Sequence, residues 1–221
     1  MKIFLTTGSV DDVVWGTETG LIDGVVTTPT SLQSAGEDGD ERDVLERICR
    51  ATPLPVCASV ASVTSEDIYR DGRELARISD QIVVQVPLLE EAVTAVRRLR
   101  ADGVRVAATL VYTAAQALLA AKAGAFMVQI PVSHLDAVGL DGGETVRDIS
   151  AVLLGQAMEC DVLAALPSNP VQFARAARGG ADGAVVTLPV LKSLLLHPLT
   201  DRGVDQFLRE LSAHRRPRQA V

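Results

Sequence analysis

Short apolar runs alternate with longer amphipathic stretches along almost the whole chain. The stretch "QIVVQVPLL" at 81–89 is one such run, with the length and β-branched composition of a buried strand that ends at a proline. The same pattern predicts eight strands: Lys2–Leu5, Gly24–Val26, Val56–Ser59, Gln81–Val86, Arg105–Leu110, Phe126–Ile130, Asp161–Ala165 and Gly183–Thr187.

Helical patterns separate these runs, and local signals mark where they begin and end. In "SNPVQFARAARGG", Ser168 and Asn169 are polar caps, Pro170 suits a first turn, and the glycines follow the last turn. Gly or Asp-Gly likewise ends a helix before a strand in "ADGVRVAATL", "KAGAFMVQI" and "GGADGAVVTL". The predicted helices are Arg42–Ala51, Ser65–Ile78, Glu90–Asp102, Thr113–Ala123, Glu144–Met158 and Pro170–Arg178.

Eight strands with intervening helices in 221 residues predict one α/β domain, a (β/α)8 TIM barrel spanning 1–221. Residues 200–221 are predicted as an additional C-terminal helix and a basic tail. A doubly wound open sheet is the alternative, but neither GxGxxG nor GxxxxGK[ST] occurs to support its nucleotide-binding forms.

Composition narrows the classes of partner. A net charge of −7 argues against nucleic acid, and the only basic cluster, "HRRPRQ" at 214–219, is predicted to be solvated. Cys49, Cys57 and Cys160 are odd in number and widely spaced, which predicts reduced thiols in a cytoplasmic protein. No run of 18 apolar residues predicts a membrane span, and the N-terminal apolar part is too short for a signal peptide.

The C-terminal ends of the predicted strands carry hydroxyls and amides without one formal charge. In barrels of this kind the chemistry lies at those ends. Gln85 interrupts an apolar run, and a buried amide without a hydrogen bond costs about 1–3 kcal/mol. We therefore expect Gln85 to point into the barrel and bond to neighbours such as Thr6 or Thr109. The strand-end residues are Thr6, Thr27, Thr28, Ser59, Gln85, Thr109, Gln129, Ala165 and Thr187.

We call these strand-end residues the ring. Few residues outside the ring are candidates for acid–base chemistry. His134 lies with Asp136 and Asp141 in "SHLDAVGLDGG", predicted as a loop near the mouth, and histidine is the side chain suited to proton transfer near neutral pH. Tyr112 follows the fifth strand and places its hydroxyl at the rim or packs in the core. Ser168 either contributes a weak anion site or belongs to a plain helix cap.

Two further groups are predicted to be chemically inert. Cys57 shares side-chain parity with Ser59, so it points inward, and no lysine or histidine nearby in sequence would activate its thiol. The histidines His134, His197 and His214 are far apart in sequence, so we expect no metal site and no cofactor.

Several segments resemble the small transaldolases and fructose-6-phosphate aldolases: "MKIFLTTGSVDD", "GLIDGVVTTPTSL", "IVVQVPLLEEAV", "ATLVYTAAQALLAAKAGA" and "HPLTDRGVDQFLREL". The resemblance covers nearly the whole chain and is most specific in "TLVYTAAQALLAAKAGA" and "HPLTDRG". It implies the barrel fold, and a chemistry in which a strand-four lysine forms a Schiff base with a ketose phosphate. It also implies a terminal helix that packs on a neighbouring subunit.

Matched position by position, the resemblance places the family's lysine at Gln85 and its strand-one aspartate at Thr6. The asparagine of the family's "TTNPS" motif falls at Thr28, and the strand-three Glu or Gln that holds the catalytic water falls at Ser59. The hydroxyl that partners it is kept as Thr109.

Further along the chain, the same matching places the strand-six aromatic at Pro131 and a nearby arginine at His134. The serine and arginine that hold substrate phosphate fall at Leu166 and Ser168. The chain is therefore predicted to be a diverged member of the family that lacks its charged catalytic groups.

An amide cannot replace the lysine, because its nitrogen lone pair is delocalised and does not attack a carbonyl. The other lysines are predicted at the barrel bottom (Lys2), at a helix end (Lys122) and on an outer helix (Lys192).

Two functions are therefore expected. In the first, a lysine-independent barrel of a specialised biosynthetic pathway holds a neutral carbonyl compound, with His134, Gln85 and Thr109 in catalytic roles. Its substrate-binding residues are predicted to be Thr6, Thr28, Ser59, Gln129, Ser168 and Tyr112. In the second, the chain is a non-catalytic scaffold or a protein-binding partner. Either way, a homo-oligomer is expected, because Val204, Phe207, Leu208 and Leu211 share one helical stripe.

Overall fold

Eight parallel strands close into one barrel in the computed structural model, which describes residues 1–35 and 40–214. Each strand pairs with the next along the chain, and β8 pairs with β1. The predicted (β/α)8 barrel is confirmed, whereas nearly all of the predicted basic tail lies outside the described residues. The strands are β1 Lys2–Thr6, β2 Gly24–Val26, β3 Val56–Ser59, β4 Ile82–Pro87, β5 Val106–Thr109, β6 Met127–Pro131, β7 Asp161–Ala165 and β8 Gly183–Thr187.

Helices surround this barrel, and most of them coincide with the predicted ones to within two or three residues at each end. The segment "SHLDAVGLDGG" is not one loop as predicted: its first residues belong to α7, a short helix that buries Val132 and Leu135. The helices are α1 Val10–Thr19, α2 Pro29–Ala35, α3 Glu41–Ala51, α4 Ser65–Ala76, α5 Glu90–Ala101, α6 Ala114–Ala123, α7 Val132–Ala137, α8 Gly142–Gly155, α9 Pro170–Arg178, α10 Leu188–Ser193 and α11 Pro198–His214.

Two leucines leave the barrel in a backbone conformation that leucine rarely adopts. Leu110, predicted as the last residue of a strand, instead follows β5 with φ of 57°, and Leu166 follows β7 with φ of 57°. In the left-handed region the β-carbon approaches the following carbonyl oxygen, which costs about 1–2 kcal/mol per residue. Strand β5 therefore ends at Thr109, one residue earlier than the apolar pattern predicts.

The barrel interior is filled by inward-facing side chains rather than by water. Cys57 is fully buried among them as predicted, and burial raises the pKa of its thiol to about 12, which makes it an inert group. These residues form one cluster: Phe4, Val26, Cys57, Val83, Ala107, Met127, Leu163, Ala165 and Val185.

Carboxylates secure the N-terminal ends of two strands at the barrel bottom. Asp23 accepts a hydrogen bond from the Ile3 N–H at 2.7 Å, and Asp182 accepts one from the Val162 N–H at 2.8 Å. Both aspartates belong to Asp-Gly pairs at the start of the following strand. These pairs therefore do more than end a helix, because each carboxylate joins two neighbouring strands.

Helix α11 contacts little of its own barrel. Every described side chain from residue 198 to residue 212 is exposed, including Phe207 at 58% and Leu208 at 53%. The predicted C-terminal helix is thus present, and its apolar stripe is uncovered in the single chain. No helix in the described part of the chain is both long and apolar enough to span a membrane.

Gly24 provides a test of the interior packing. A β-carbon there would lie 2.4 Å from Phe4 Cε1 and 3.1 Å from the Pro55 carbonyl oxygen. We predict that Gly24→Ala lowers the free energy of unfolding by about 1–3 kcal/mol, because Phe4 is enclosed and has no room to move. Urea denaturation followed by circular dichroism measures the change.

Gly155→Ala is the matched control, since a β-carbon at the end of α8 meets nothing within 4 Å. It should leave stability unchanged or raise it slightly. Equal stability of the two variants would show that the barrel tolerates a displaced Phe4.

Candidate functional site

Two glutamines lie at the centre of the polar ring at the C-terminal end of the barrel. Gln85 on β4 is 3% exposed and Gln129 on β6 is 6% exposed. Side chains of alternate residues point inward along a strand, so both lie directly above the apolar cluster that fills the interior. A buried amide in this place must find hydrogen-bond partners on other strands.

Gln85 finds three partners on three other parts of the barrel. Its Nε2 donates to the Thr27 carbonyl oxygen at 2.9 Å and to Ser59 Oγ at 3.1 Å. Its Oε1 accepts from Gln129 Nε2 at 2.9 Å. Both amide hydrogens are therefore used inside the protein, and one lone pair of Oε1 remains for any other contact.

The inward orientation of Gln85 is as predicted, but the named partners Thr6 and Thr109 are wrong. Strand register explains the difference. Ser59 lies directly opposite Gln85 on β3, while the residue opposite it on β5 is Ala107. The small alanine leaves room for Gln129, which reaches Gln85 from the next strand.

The ring hydroxyls differ in how far they are already engaged. Among the described residues, the hydroxyls of Thr6 and Thr109 have no hydrogen-bond partner, and both residues are half-buried. Thr28 instead accepts from the Ser31 N–H at 3.1 Å, and Thr187 caps α10. Thr6 and Thr109 are therefore the ring hydroxyls that have both donor and acceptor capacity free for a ligand.

A tyrosine and a histidine meet at the rim of the mouth. Tyr112, which follows β5, places its hydroxyl 3.2 Å from Nδ1 of His134 on α7. His134 is exposed and Tyr112 is half-buried. The sequence proposed each residue separately but gave no sign of this pair, because the two are distant in the chain and meet only through neighbouring strands.

The carboxylates near His134 in sequence are occupied elsewhere. Asp136 accepts from the Gly142 N–H at 2.8 Å and from Gln172 Nε2 at 2.6 Å. Asp141 accepts from the first backbone N–H groups of α8. Neither carboxylate is hydrogen-bonded to His134, so Tyr112 is the group that orients the imidazole.

Ser168 lies at the same end of the barrel but away from the ring amides. It is exposed, and its N–H donates to Gln172 Oε1 at 2.6 Å. Asn169 caps α9 by accepting from the Val171 and Gln172 N–H groups. The side chain that caps α9 is therefore that of Asn169, and a role of Ser168 in ligand binding stays a prediction.

Charged groups that could act on a ligand are absent from the ring positions themselves. The lysines lie elsewhere: Lys2 pairs with Asp161 at 2.5 Å at the barrel bottom, and Lys192 lies over the Trp15 ring at 5.1 Å. Lys122 is exposed in the last turn of α6. Within residues 1–35 and 40–214, no cluster of three His, Cys, Asp or Glu side chains is placed to hold a metal ion.

Comparison with known proteins agrees with this architecture. The sequence profile of the Transaldolase/Fructose-6-phosphate aldolase family matches residues 3–219. The chain belongs to this family. It is 40% identical over 208 residues to a probable transaldolase of Herpetosiphon aurantiacus, covering 94% of this chain and 93% of the relative.

Other relatives in the family are similarly close. A probable transaldolase of Thermodesulfovibrio yellowstonii is 39% identical over 95% of this chain and 97% of its own length. One from Methanococcus maripaludis is 37% identical over 97% of this chain and 99% of its own. The family assignment therefore applies to the whole described barrel rather than to a local motif.

A solved structure supports the fold alone. It is a designed, cube-shaped, highly porous protein cage made by fusing symmetric oligomeric domains. One of its chains matches 96% of this chain with a TM-score of 0.59 and 18% identity, covering 77% of its own length.

The amide network yields a stability prediction. Gln85→Met keeps the side-chain length but leaves the Thr27 carbonyl and two polar side chains without a partner. We expect the free energy of unfolding to fall by about 1–3 kcal/mol. Gln129→Met should cost less, because it removes a single bond to Gln85. Urea unfolding of both single variants and the double variant measures the coupling.

Gln33→Met is the matched control, because that amide is exposed on α2 and its substitution should change stability by less than about 0.5 kcal/mol. If Gln85→Met unfolds at the same urea concentration as the wild type, the amide network does not contribute to the stability of the barrel.

Proposed function

We propose that this transaldolase-family barrel works without a Schiff-base lysine and accepts a neutral, carbonyl-bearing small molecule at its mouth, in a specialised biosynthetic pathway. The observation that carries the proposal is the environment of Gln85. Its amide nitrogen is not a nucleophile, and both of its hydrogens are donated within the barrel. Gln85 therefore positions its neighbours instead of attacking a substrate.

No lysine takes over the missing role in this proposal. The Lys2 ammonium is held at the opposite end of the barrel by Asp161, and Lys192 lies over an aromatic ring outside it. A Schiff base needs an amine whose pKa is lowered toward neutrality by a desolvated or cationic site. Lys2 is instead paired with a carboxylate at the barrel bottom, away from the ring.

The absence of charge at the ring argues for an uncharged ligand. Phosphate recognition depends on Arg or Lys contacts, and the ring offers hydroxyls and amides instead. Thr6 and Thr109 have free hydroxyls that can donate to a carbonyl oxygen. Gln129 has one Nε2 hydrogen beyond the bond to Gln85, so it can donate to the same oxygen.

In our proposal, Tyr112 and His134 at the rim of the mouth carry out the proton transfer. His134 is exposed toward solvent, and Tyr112 bonds to one of its ring nitrogens, which leaves the other nitrogen for a ligand or water. Histidine can donate or accept a proton near neutral pH, as general acid–base catalysis requires. Thr28 and Ser59 then have supporting roles, in which they shape the mouth, while Thr6 and Thr109 donate to the ligand.

A non-catalytic scaffold is the second candidate, and one observation favours the assembly that it requires. Helix α11 exposes an apolar stripe formed by Val204, Phe207, Leu208 and Leu211. Most of the stability of an amphipathic helix in a protein comes from the packing of its apolar face, so this stripe calls for a partner surface. We propose that a second copy of this chain covers it, whether or not the mouth is catalytic.

The Schiff-base hypothesis has a direct test. Protein incubated with dihydroxyacetone or fructose 6-phosphate and then reduced with sodium borohydride should keep its intact mass, because no amine in the ring can condense with the ketone. Mass spectrometry gives the result. An adduct mapped to Lys2, Lys122 or Lys192 would overturn the proposal.

Gln85→Lys is the companion variant. It should restore little cleavage of fructose 6-phosphate, because Thr6 and Pro131 stand where the resemblance implies an aspartate and an aromatic. It should also unfold at lower urea, since the new ammonium has no anionic partner in the ring. Efficient cleavage by a stable Gln85→Lys protein would mean that the site is a lightly altered aldolase.

The oligomer proposal predicts a mass well above the 23.4 kDa of one chain in light scattering at micromolar concentration. Phe207→Asp should shift the protein toward the monomer, because it places a charge in the middle of the stripe. Asp205→Lys changes the charge of the same helix outside the stripe and should leave the mass unaltered. A monomeric wild type would contradict the proposal.

A further inference from the structure

Two exposed leucines lie at the rim of the barrel mouth in the left-handed backbone region. Leu110 directly follows β5 and Leu166 directly follows β7, each with φ of 57°. Their side chains are 45% and 38% exposed. The functional proposal above uses neither residue.

The conformation does not require leucine. Glycine adopts positive φ without strain, and asparagine tolerates it, whereas leucine has an unfavourable contact of its β-carbon. Neither leucine gains full burial in return, because more than a third of each side chain stays exposed. Strained residues of this kind concentrate at ligand sites, where the surrounding structure holds them in place.

The backbone around each leucine fixes its place relative to the ring. The N–H of Val111, the residue after Leu110, donates to the Gln129 carbonyl oxygen at 3.2 Å. The Leu166 N–H donates to the Val185 carbonyl oxygen at 2.8 Å. Because β6 lies between β5 and β7, the two leucines flank the strand that carries Gln129.

The ring residues next to the leucines are uncharged. Leu110 follows Thr109, which has a free hydroxyl, and Leu166 follows Ala165, which belongs to the interior cluster. The mouth on this side thus combines hydrogen-bond donors at its floor with apolar surface at its rim. Tyr112 and His134 complete the rim with one titratable imidazole.

We propose that Leu110 and Leu166 form an apolar wall of the ligand site and select a neutral carbonyl compound that carries an aliphatic chain. The carbonyl oxygen lies over the ring donors, and the chain extends outward between the two leucines. This inference rests on the proposed function, since it names the class of ligand for the same mouth. The left-handed turns hold the wall in place.

Methyl ketones of increasing length are suitable probes. Titration of 2-butanone, 2-pentanone and 2-hexanone can be followed by methyl-TROSY NMR of Ala165, whose methyl group faces the barrel interior. Each added methylene should tighten binding about fourfold, as burial of apolar surface predicts. In the double variant Leu110→Ala, Leu166→Ala this dependence on length should disappear.

Leu154→Ala and Ala157→Gly are the controls. Leu154 is 83% exposed on α8, so its truncation removes an exposed leucine away from the mouth, and the length dependence should persist. Ala157 has φ of 50° after the same helix, so glycine there relieves similar backbone strain without touching the site. Leu166→Gly relieves the strain of the left-handed turn, so its urea midpoint should not fall below that of the wild type, yet it should lose the length dependence. A stable variant without length dependence shows that the leucine side chain, and not the turn, selects the ligand.

The possible results separate the proposal of a leucine wall from the proposal of a neutral-ligand site. If all three ketones shift Ala165 equally in the wild type, or if the double variant keeps the length dependence, the leucine wall is refuted and the neutral-ligand site stands. If no ketone shifts Ala165 but fructose 6-phosphate does, the proposed neutral-ligand function fails and the inference falls with it.

Discussion

Closing eight parallel strands into one barrel removes water from the space between inward-facing side chains, so a polar group placed there needs a partner on another strand. Gln85 meets this requirement with three bonds, which reach a carbonyl after β2, a hydroxyl on β3 and an amide on β6. The position therefore joins elements that are distant in sequence. Its amide links strands at the C-terminal end of the barrel. Because both amide hydrogens are used in these bonds, only one lone pair of Oε1 remains for a ligand.

The same requirement explains why the ring is polar even though it carries no charge. A ring that had lost its function entirely could be filled with valine and leucine, which need no partners, as in the layer below. The ring instead keeps two free threonine hydroxyls and a partly free glutamine beside a Tyr–His pair. This hydrogen-bonding capacity agrees with the ligand that we propose, and the uncovered α11 is available for assembly in either case.

Sequence patterns predicted those features that depend on local order. Four of the strands, including Asp161–Ala165 and Gly183–Thr187, begin and end where the apolar runs do. The partners of Gln85 were not predictable, because they depend on the stagger between strands, which places Ser59 and not Thr109 beside it. Leu110 and the helix containing His134 were missed for a related reason: a left-handed residue and a six-residue helix leave no periodic signal.

The identity of about 40% with a probable transaldolase of Herpetosiphon aurantiacus is compatible with a different chemistry at the mouth. Most of the 208 aligned residues lie in the strands, the helices and the loops between them, and the core residues among them must keep their packing for the barrel to close. The reacting groups of a barrel enzyme are a handful of strand-end residues, whose exchange hardly changes such a figure. Position 85 illustrates the point: the glutamine there satisfies the packing and the hydrogen bonds of the fold, and in the function that we propose its amide nitrogen forms no Schiff base.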